Sequence, residues 1–453
     1  MKNTEAQLRL PLPGMESQGR GATGSYKTGD ARRNRLEPHD RAFHDWYRFV
    51  LAFPAHLVRQ YLDSFCVRDD QIVLDPFCGT GTTLVECKLR GVRAIGLEAN
   101  PFAHFASSVK TNWSVDPSLL RSRAADIAQC TLDELHKQGI DDVSPGGAVS
   151  PADLRGLDPD AEKLLLGRSI SPLPLHKTLV LLEHLKSHSR EPYYGHAVLA
   201  LASALVFKIS NLHFGPEVGV GKPKDDVEVV ASWLAEIEKI ARDLNLTYGK
   251  SYPHCDVRLA DARALDAVLE PSSVDAVITS PPYPNEKDYT RTTRLESVIL
   301  GFVKNKADLR SLKKTLVRSN TRGIYTDDDD DTWLREHPEV NRIADEIEAR
   351  RKHLGKTSGF ERMYSRVTRL YFGGMARHLS ALRSVLRPGA QLAYVVGDQA
   401  SYLRVMIRTG TLLADIAQAL GYEIVRTDLF RTRFSTSSKQ HLREEVLVMR
   451  YKQ

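Results

Sequence analysis

The chain has 453 residues, 42% hydrophobic and 26% charged, with a net charge of +6; it can bury a substantial core in two or three domains and is mild enough in charge to allow, without requiring, a nucleic-acid partner. No apolar run approaches the ~20 residues of a bilayer span, so no membrane is expected. The five scattered cysteines (Cys66, Cys78, Cys87, Cys130, Cys255) form no C-x-x-C pair or Cys/His cluster, which predicts no metal and fits a reducing cytoplasm.

Residues 1–35 are polar, Gly-rich and weakly basic, lack a signal peptide's apolar core, and read as a flexible arm. A helix is expected over His56–Leu62. From Gln71 strands and helices alternate: a strand over Gln71–Leu74, a glycine loop over Asp75–Thr83, a helix over Leu84–Arg90 closed by Gly91, and a strand over Val92–Leu97 ending in Glu98. Asn100-Pro101 opens another helix. This is a βαβ unit of an open, doubly wound α/β sheet of the Rossmann-like kind. Ser114–Tyr252 has the leucine and alanine spacing of helices, interrupted by a Gly/Lys-rich loop at 214–224. Strands follow at Cys255–Leu259, ending at Asp261, and at Val274–Ile278. Residues 284–370 are highly charged, with basic Lys304, Lys306, Arg310, Lys313, Lys314, Arg318 and Arg322 ahead of the acidic run Asp327–Asp331. That run lacks the spacing of a calcium loop and reads as a disordered, solvated loop. A helix over Met375–Leu386, stopped by Arg387-Pro388-Gly389, precedes a strand over Gln391–Asp398. Further strands are expected near Tyr422–Val425 and Glu445–Met449.

Two loops carry chemistry. After the fourth strand, Thr279-Ser280-Pro281-Pro282-Tyr283 puts a hydroxyl, two prolines and an aromatic at a strand tip. Proline fixes φ and lacks a donor, so the Pro281 and Pro282 carbonyls are expected free to accept hydrogen bonds from an amino group beside the Tyr283 ring; the plain alternative is a strand-to-loop turn. After the first strand, G-T-G-T-T-L lets backbone approach a ligand, but it lacks the third glycine of G-x-G-x-x-G and the lysine of a P-loop. Glu98 occupies the position where doubly wound proteins hold ribose hydroxyls, and Asp261 could reach an adenine edge. As a spaced set they describe a pocket for an adenosine-containing cofactor.

Asp75-Pro76-Phe77-Cys78-Gly79-Thr80-Gly81-Thr82-Thr83 resembles the S-adenosyl-L-methionine (AdoMet) motif of DNA amino-methyltransferases, and Ser280-Pro281-Pro282-Tyr283 resembles their catalytic motif in its mainly N4-cytosine form. The likeness covers roughly Trp46–Trp113, Cys255–Tyr289 and Tyr371–Met449, with the His56–Leu62 helix resembling the segment that packs over the cofactor's methionine end. It implies a catalytic domain from 36–113, 253–290 and 371–453, a helical insertion at 114–252 and a charged insertion at 291–370. It further implies AdoMet held by Asp75, Phe77, Gly79, Thr80, Gly81, Thr82, Glu98 and Asp261. Ser280 Oγ and the Pro281 carbonyl would accept the N–H groups of a base flipped out of double-stranded DNA, with Tyr283 stacking on it. No strong general base is needed, and the absence of a Pro-Cys pair argues against C5-cytosine chemistry.

The glycine motif precedes S-P-P-Y, the reverse of many such enzymes. The charged insertion, through Lys304, Lys306, Arg310, Lys313, Lys314 and Arg318, is the first candidate for tracking DNA phosphates, and Lys222 with Lys224 the second. Tyr289 is a further candidate for the base pocket; Phe434 reads as an apolar packing residue. N6-adenine methylation, RNA guanine-N2 methylation and a non-catalytic AdoMet- and DNA-binding protein remain as alternatives. The expected state is a monomer, with a cognate restriction endonuclease as a candidate partner.

Overall fold

The computed structural model describes residues 36–48, 52–143, 153–214, 218–285, 287–435 and 440–452, so the arm expected at 1–35 lies outside the described residues. The elements run α1 (Ala55–Ser64), β1 (Ile72–Asp75), α2 (Thr82–Arg90), β2 (Arg93–Glu98), α3 (Pro101–Lys110) and α4 (Pro117–Lys137). Then come α5 (Pro159–Glu162), α6 (Pro172–Ser187), α7 (Tyr194–Ala204), β3 (Leu212–Phe214), β4 (Val218–Val220), α8 (Val229–Thr247), β5 (Cys255–Leu259) and β6 (Val274–Thr279). The remainder is α9 (Arg294–Ile299), α10 (Lys306–Lys314), α11 (Pro338–His353), α12 (Gly359–Val385), β7 (Leu386–Gly397), α13 (Thr409–Ala419), β8 (Tyr422–Ser435) and β9 (Gln440–Tyr451).

Seven strands form one sheet in the order β5-β2-β1-β6-β7-β9-β8. Neighbours from β5 to β7 are parallel, and β9 pairs antiparallel with both β7 and β8. Because β1 is flanked by β2 on one side and β6 on the other, the order reverses there, and the crevice beyond the carboxyl ends of β1 and β6 is where such sheets bind ligands. Both faces are covered, and alternate residues of each strand go to opposite cores. Leu74, Val277 and Leu392 pack with α12 and α13, whereas Val73, Ala276 and Ala393 pack with α1 and α2. A third core joins α3 to the helical stretch α4–α8.

Several elements differ from expectation for identifiable reasons. The helix expected over Met375–Leu386 begins at Gly359, where Ser358 is the N-cap: its hydroxyl accepts from the Glu361 N–H at 3.4 Å and donates to the Glu361 carboxylate at 2.7 Å. The Gly373-Gly374 pair inside it resembles a breaker but marks a close approach: a β-carbon on Gly373 would lie 1.9 Å from the Asp330 carbonyl oxygen. Pro388 lies within β7, at the place where its register against β6 slips. The loop at 214–224 carries a short antiparallel pair, β3 with β4. The last two strands are 14 and 12 residues long, forming a hairpin that extends well beyond the segments expected.

Candidate active site

A cavity of about 640 Å³ opens at the switch point, within the ~300–1,000 Å³ of small-molecule sites. Phe77, Gly79, Thr80, Thr82, Glu98, Asp261, Ser280, Pro281, Pro282 and Tyr283 all line it, so both sequence-singled loops face one space. Asp75 lies beneath it: its Oδ1 accepts from the Phe77 N–H at 3.1 Å and the Thr279 hydroxyl at 2.6 Å, clamping the glycine loop to the tip of β6. Gly81 adopts φ +85°, a conformation that favours glycine, and caps α2.

Glu98 is shared between loop and helix. One carboxylate oxygen accepts from the Gly79 N–H at 2.9 Å and the other from the Asn100 N–H at 2.8 Å. It is partly open to the cavity yet deep in the protein, and burial lifts its carboxyl to about 7. Asp261 also faces the cavity, but both its oxygens are engaged by Arg263, at 2.6–3.2 Å.

The S-P-P-Y loop departs from expectation in one carbonyl. The Tyr371 hydroxyl, from α12, donates to the Pro282 carbonyl at 2.8 Å, so that carbonyl already serves to hold the loop. Among the described residues nothing donates to the Pro281 carbonyl. The Ser280 hydroxyl donates to the Val395 carbonyl of β7 at 3.3 Å, which leaves its oxygen lone pairs as acceptors. The Tyr283 N–H donates to the Tyr289 hydroxyl at 2.9 Å, and Tyr289 also lines the cavity, where burial lifts its phenol to about 12.

The charged stretch after Tyr283 forms part of the wall. Lys313 pairs with Asp288 at 2.7 Å, Lys314 with Asp327 at 2.5 Å, and Arg318, 4% exposed, makes a two-pronged pair with Asp328 at 2.6 and 2.9 Å. These three charges are therefore committed within the protein, while Lys304, Lys306 and Arg310 remain exposed. The acidic run is solvated only in part: Asp327 and Asp329 are exposed, whereas Asp328 and Asp330 are held by arginines. Asp330 is 3% exposed, pairs with Arg263 at 2.5 Å and Arg377 at 3.3 Å, and so links the run to Asp261, because matching arginines replace the water that would otherwise solvate it. Lys222 and Lys224 are exposed and do not line the cavity; the Lys224 ammonium donates to the Lys208 carbonyl at 2.6 Å. Phe434 is 53% exposed, which corrects its reading as an apolar packing residue: the hairpin carries it past the core, where its ring meets that of His441.

Other residues have no local motif to announce them. His378 of α12 bonds the Ala262 carbonyl and the Tyr394 hydroxyl, both at 2.7 Å, and meets the Phe77 ring edge-on at 4.8 Å. Burial holds its pKa near 4, so it acts as a neutral strut. From the hairpin, Arg431 and Glu444 form a two-pronged pair at 2.6 and 2.8 Å along the cavity wall beside Tyr283. Only the alternating pattern of two long polar strands could have hinted at them.

The fold and cavity are those of a doubly wound α/β protein with a ligand site at the switch point, and comparison with known proteins indicates the class. A family model described as DNA methylase matches residues 16–107. The chain is 23% identical to the type II methyltransferase M.BsoBI of Geobacillus stearothermophilus, over 88% of this chain and 82% of that protein. It is 24% identical to the type II methyltransferase M.AvaI of Nostoc sp. PCC 7120, over 92% and 86%. A solved SAM-dependent methyltransferase of Methanosarcina mazei aligns with 86% of this chain and 97% of its own at 9% identity and a TM-score of 0.30. These similarities support an AdoMet-dependent DNA amino-methyltransferase family, with AdoMet as the cofactor. The residues present fit that group: a strand-tip carboxylate, a left-handed glycine loop at a helix start, and a Thr80 hydroxyl that is buried without a hydrogen-bond partner. Among the described residues, no His/Cys/Asp/Glu group could hold a metal, and no helix is long and apolar enough to cross a membrane.

Proposed function

We propose that this protein methylates the exocyclic N4 amino group of cytosine in double-stranded DNA. The observation that carries the reading is the Ser280 hydroxyl, whose proton is directed at the Val395 carbonyl while its oxygen borders the same cavity as the glycine loop. Bound AdoMet supplies a methyl group activated by a positively charged sulfur. Ser280 Oγ and the Pro281 carbonyl accept the two amine hydrogens, drawing the nitrogen lone pair out of conjugation with the ring and aiming it. Tyr283 and Tyr289 give the extruded base an aromatic surface. Serine at the head of the motif favours cytosine over adenine, by the family resemblance. Glu98 holds the ribose, and Asp261, kept in place by Arg263, faces the adenine.

Exposed Lys304, Lys306 and Arg310 at the start of α10 track phosphates, while the ion-paired Lys313, Lys314 and Arg318 fix that segment against the cavity. Kinship to proteins named type II methyltransferases supports a role in restriction–modification. The test is transfer of labelled methyl from AdoMet to duplex DNA and, separately, to RNA; label in RNA alone overturns the reading.

A further inference from the structure

Lys110 and Lys177 are among the largest side chains the fold buries completely, and their environments differ. Lys177 meets Asp226 at 2.7 Å and Asp142 at 3.9 Å. Lys110, the last residue of α3, has no carboxylate within 4.0 Å among the described residues; its ammonium donates to the Tyr47 carbonyl at 3.4 Å. An unpaired buried ammonium is costly, and burial pushes this one down to about 7. Asp45, beyond ion-pair distance, is the carboxylate of the chain that favours its charged form, so an anion arriving beside Lys110 would hold it charged.

The surroundings say where it arrives. Lys110 borders a side chamber of about 20 Å³, with Thr80, Thr82, Phe53, His44 and Arg48 around it. The main cavity shares Phe53, Thr80 and Thr82 with that chamber, so the two adjoin. His44 is already held by Glu86 at 2.8 Å, and Arg48 is exposed. Thr82 is the first residue of the nine-residue α2, whose opening N–H groups are a site for negative charge. The Thr80 hydroxyl, 3% exposed, has no hydrogen-bond partner.

Sheet order sets the direction of the ligand. Asp261 follows β5, Glu98 ends β2, and Thr80 follows β1, three neighbours in sequence across the sheet. A ribose at Glu98 with its adenine toward Asp261 sends the amino-acid tail toward Thr80. We propose that Lys110, with the Thr80 hydroxyl and the first N–H groups of α2, binds the α-carboxylate of AdoMet. This rests on the cofactor assignment above and adds to it a charge-specific subsite supplied by α3.

The test compares AdoMet with decarboxylated AdoMet, which keeps the adenosine, sulfonium and amine, by titration calorimetry on the full chain. Lys110→Met removes the charge with an apolar side chain of similar length, a change that buried sites often tolerate. It should weaken AdoMet by about tenfold or more, the worth of a charge-assisted contact, and leave decarboxylated AdoMet within about twofold. Thr80→Val should show the same selectivity with a smaller loss, and carries the test if the lysine variant does not fold. Equal losses for both ligands, or no loss of AdoMet, would overturn the subsite. Failure of the unaltered protein to bind either ligand would instead overturn the cofactor assignment, and the subsite with it.

Discussion

The Tyr283 ring occupies space that a side chain at position 397 would need. A β-carbon on Gly397 would lie 2.9 Å from Tyr283 Cε2 and 3.3 Å from Glu444 Cγ, so the end of β7 is glycine where the ring presses on it. Gly397→Ala should displace the ring and lower methyl transfer, at an overpacking cost of about 1–3 kcal/mol in stability. Cofactor affinity should stay within about threefold, because no cofactor contact is assigned to β7. Activity equal to wild type would show that the ring position does not matter.

Removing the ring tests its role directly. Base–aromatic stacking is worth about 1–3 kcal/mol, so Tyr283→Ala should reduce kcat/KM for DNA by roughly 10- to 100-fold with AdoMet binding nearly unchanged. A loss of AdoMet binding of that size would place Tyr283 in the cofactor's part of the cavity.

Glu98 predicts a pH dependence. Burial lifts its carboxyl to about 7, so in the ligand-free protein it takes up a proton below that pH. Ribose hydroxyls donate best to the ionised form, so binding expels the proton, and affinity should rise with pH through about 7 and then level. Using 5′-methylthioadenosine, which lacks the amino-acid tail, isolates this group from Lys110. Glu98→Gln should bind it more weakly and with a flat profile from pH 6 to 8; a profile unchanged from wild type would assign the titration to another group.

Asp330 joins the charged insertion to the adenine side of the cavity through Arg263. Gly373→Ala forces a β-carbon into the Asp330 backbone and should destabilise the fold by about 1–3 kcal/mol or more in urea unfolding, with weaker AdoMet binding in the folded fraction. Full stability would mean that α12 and the acidic run move apart without cost.

Neutralising Lys304, Lys306 and Arg310 together should weaken DNA binding and shallow its log–log salt slope by about 2–3, since each phosphate contact contributes ~0.9. Lys313→Ala should instead lower stability by removing the 2.7 Å partner of buried Asp288 and leaving it only Arg294, at 3.9 Å. An unchanged slope in the triple variant would remove this surface from the DNA interface.

The parts of the cavity that were legible in the sequence are strand tips. Asp75–Thr83, Glu98, Asp261 and Ser280–Tyr283 each follow a short apolar run, and a parallel sheet brings such tips to one edge whatever separates them in the chain. What escaped the sequence is set by contacts between distant segments. Lys110 has no local motif to mark it; folding places it at the chamber that Thr80 also lines. Asp330 looked solvated because its partners, Arg263 and Arg377, lie 67 and 47 residues away. The Pro282 carbonyl was expected to be free, and Tyr371, 89 residues on, takes it. Phe434 carried the hydrophobicity of a core residue, but the hairpin's length, which decides its exposure, has no local signal.

The central claim is the identity of the methylated amine. Duplex DNA incubated with the purified protein and AdoMet, digested to nucleosides and analysed by mass spectrometry, should contain N4-methyldeoxycytidine. N6-methyldeoxyadenosine in its place, or no methylated nucleoside at all, would contradict the account.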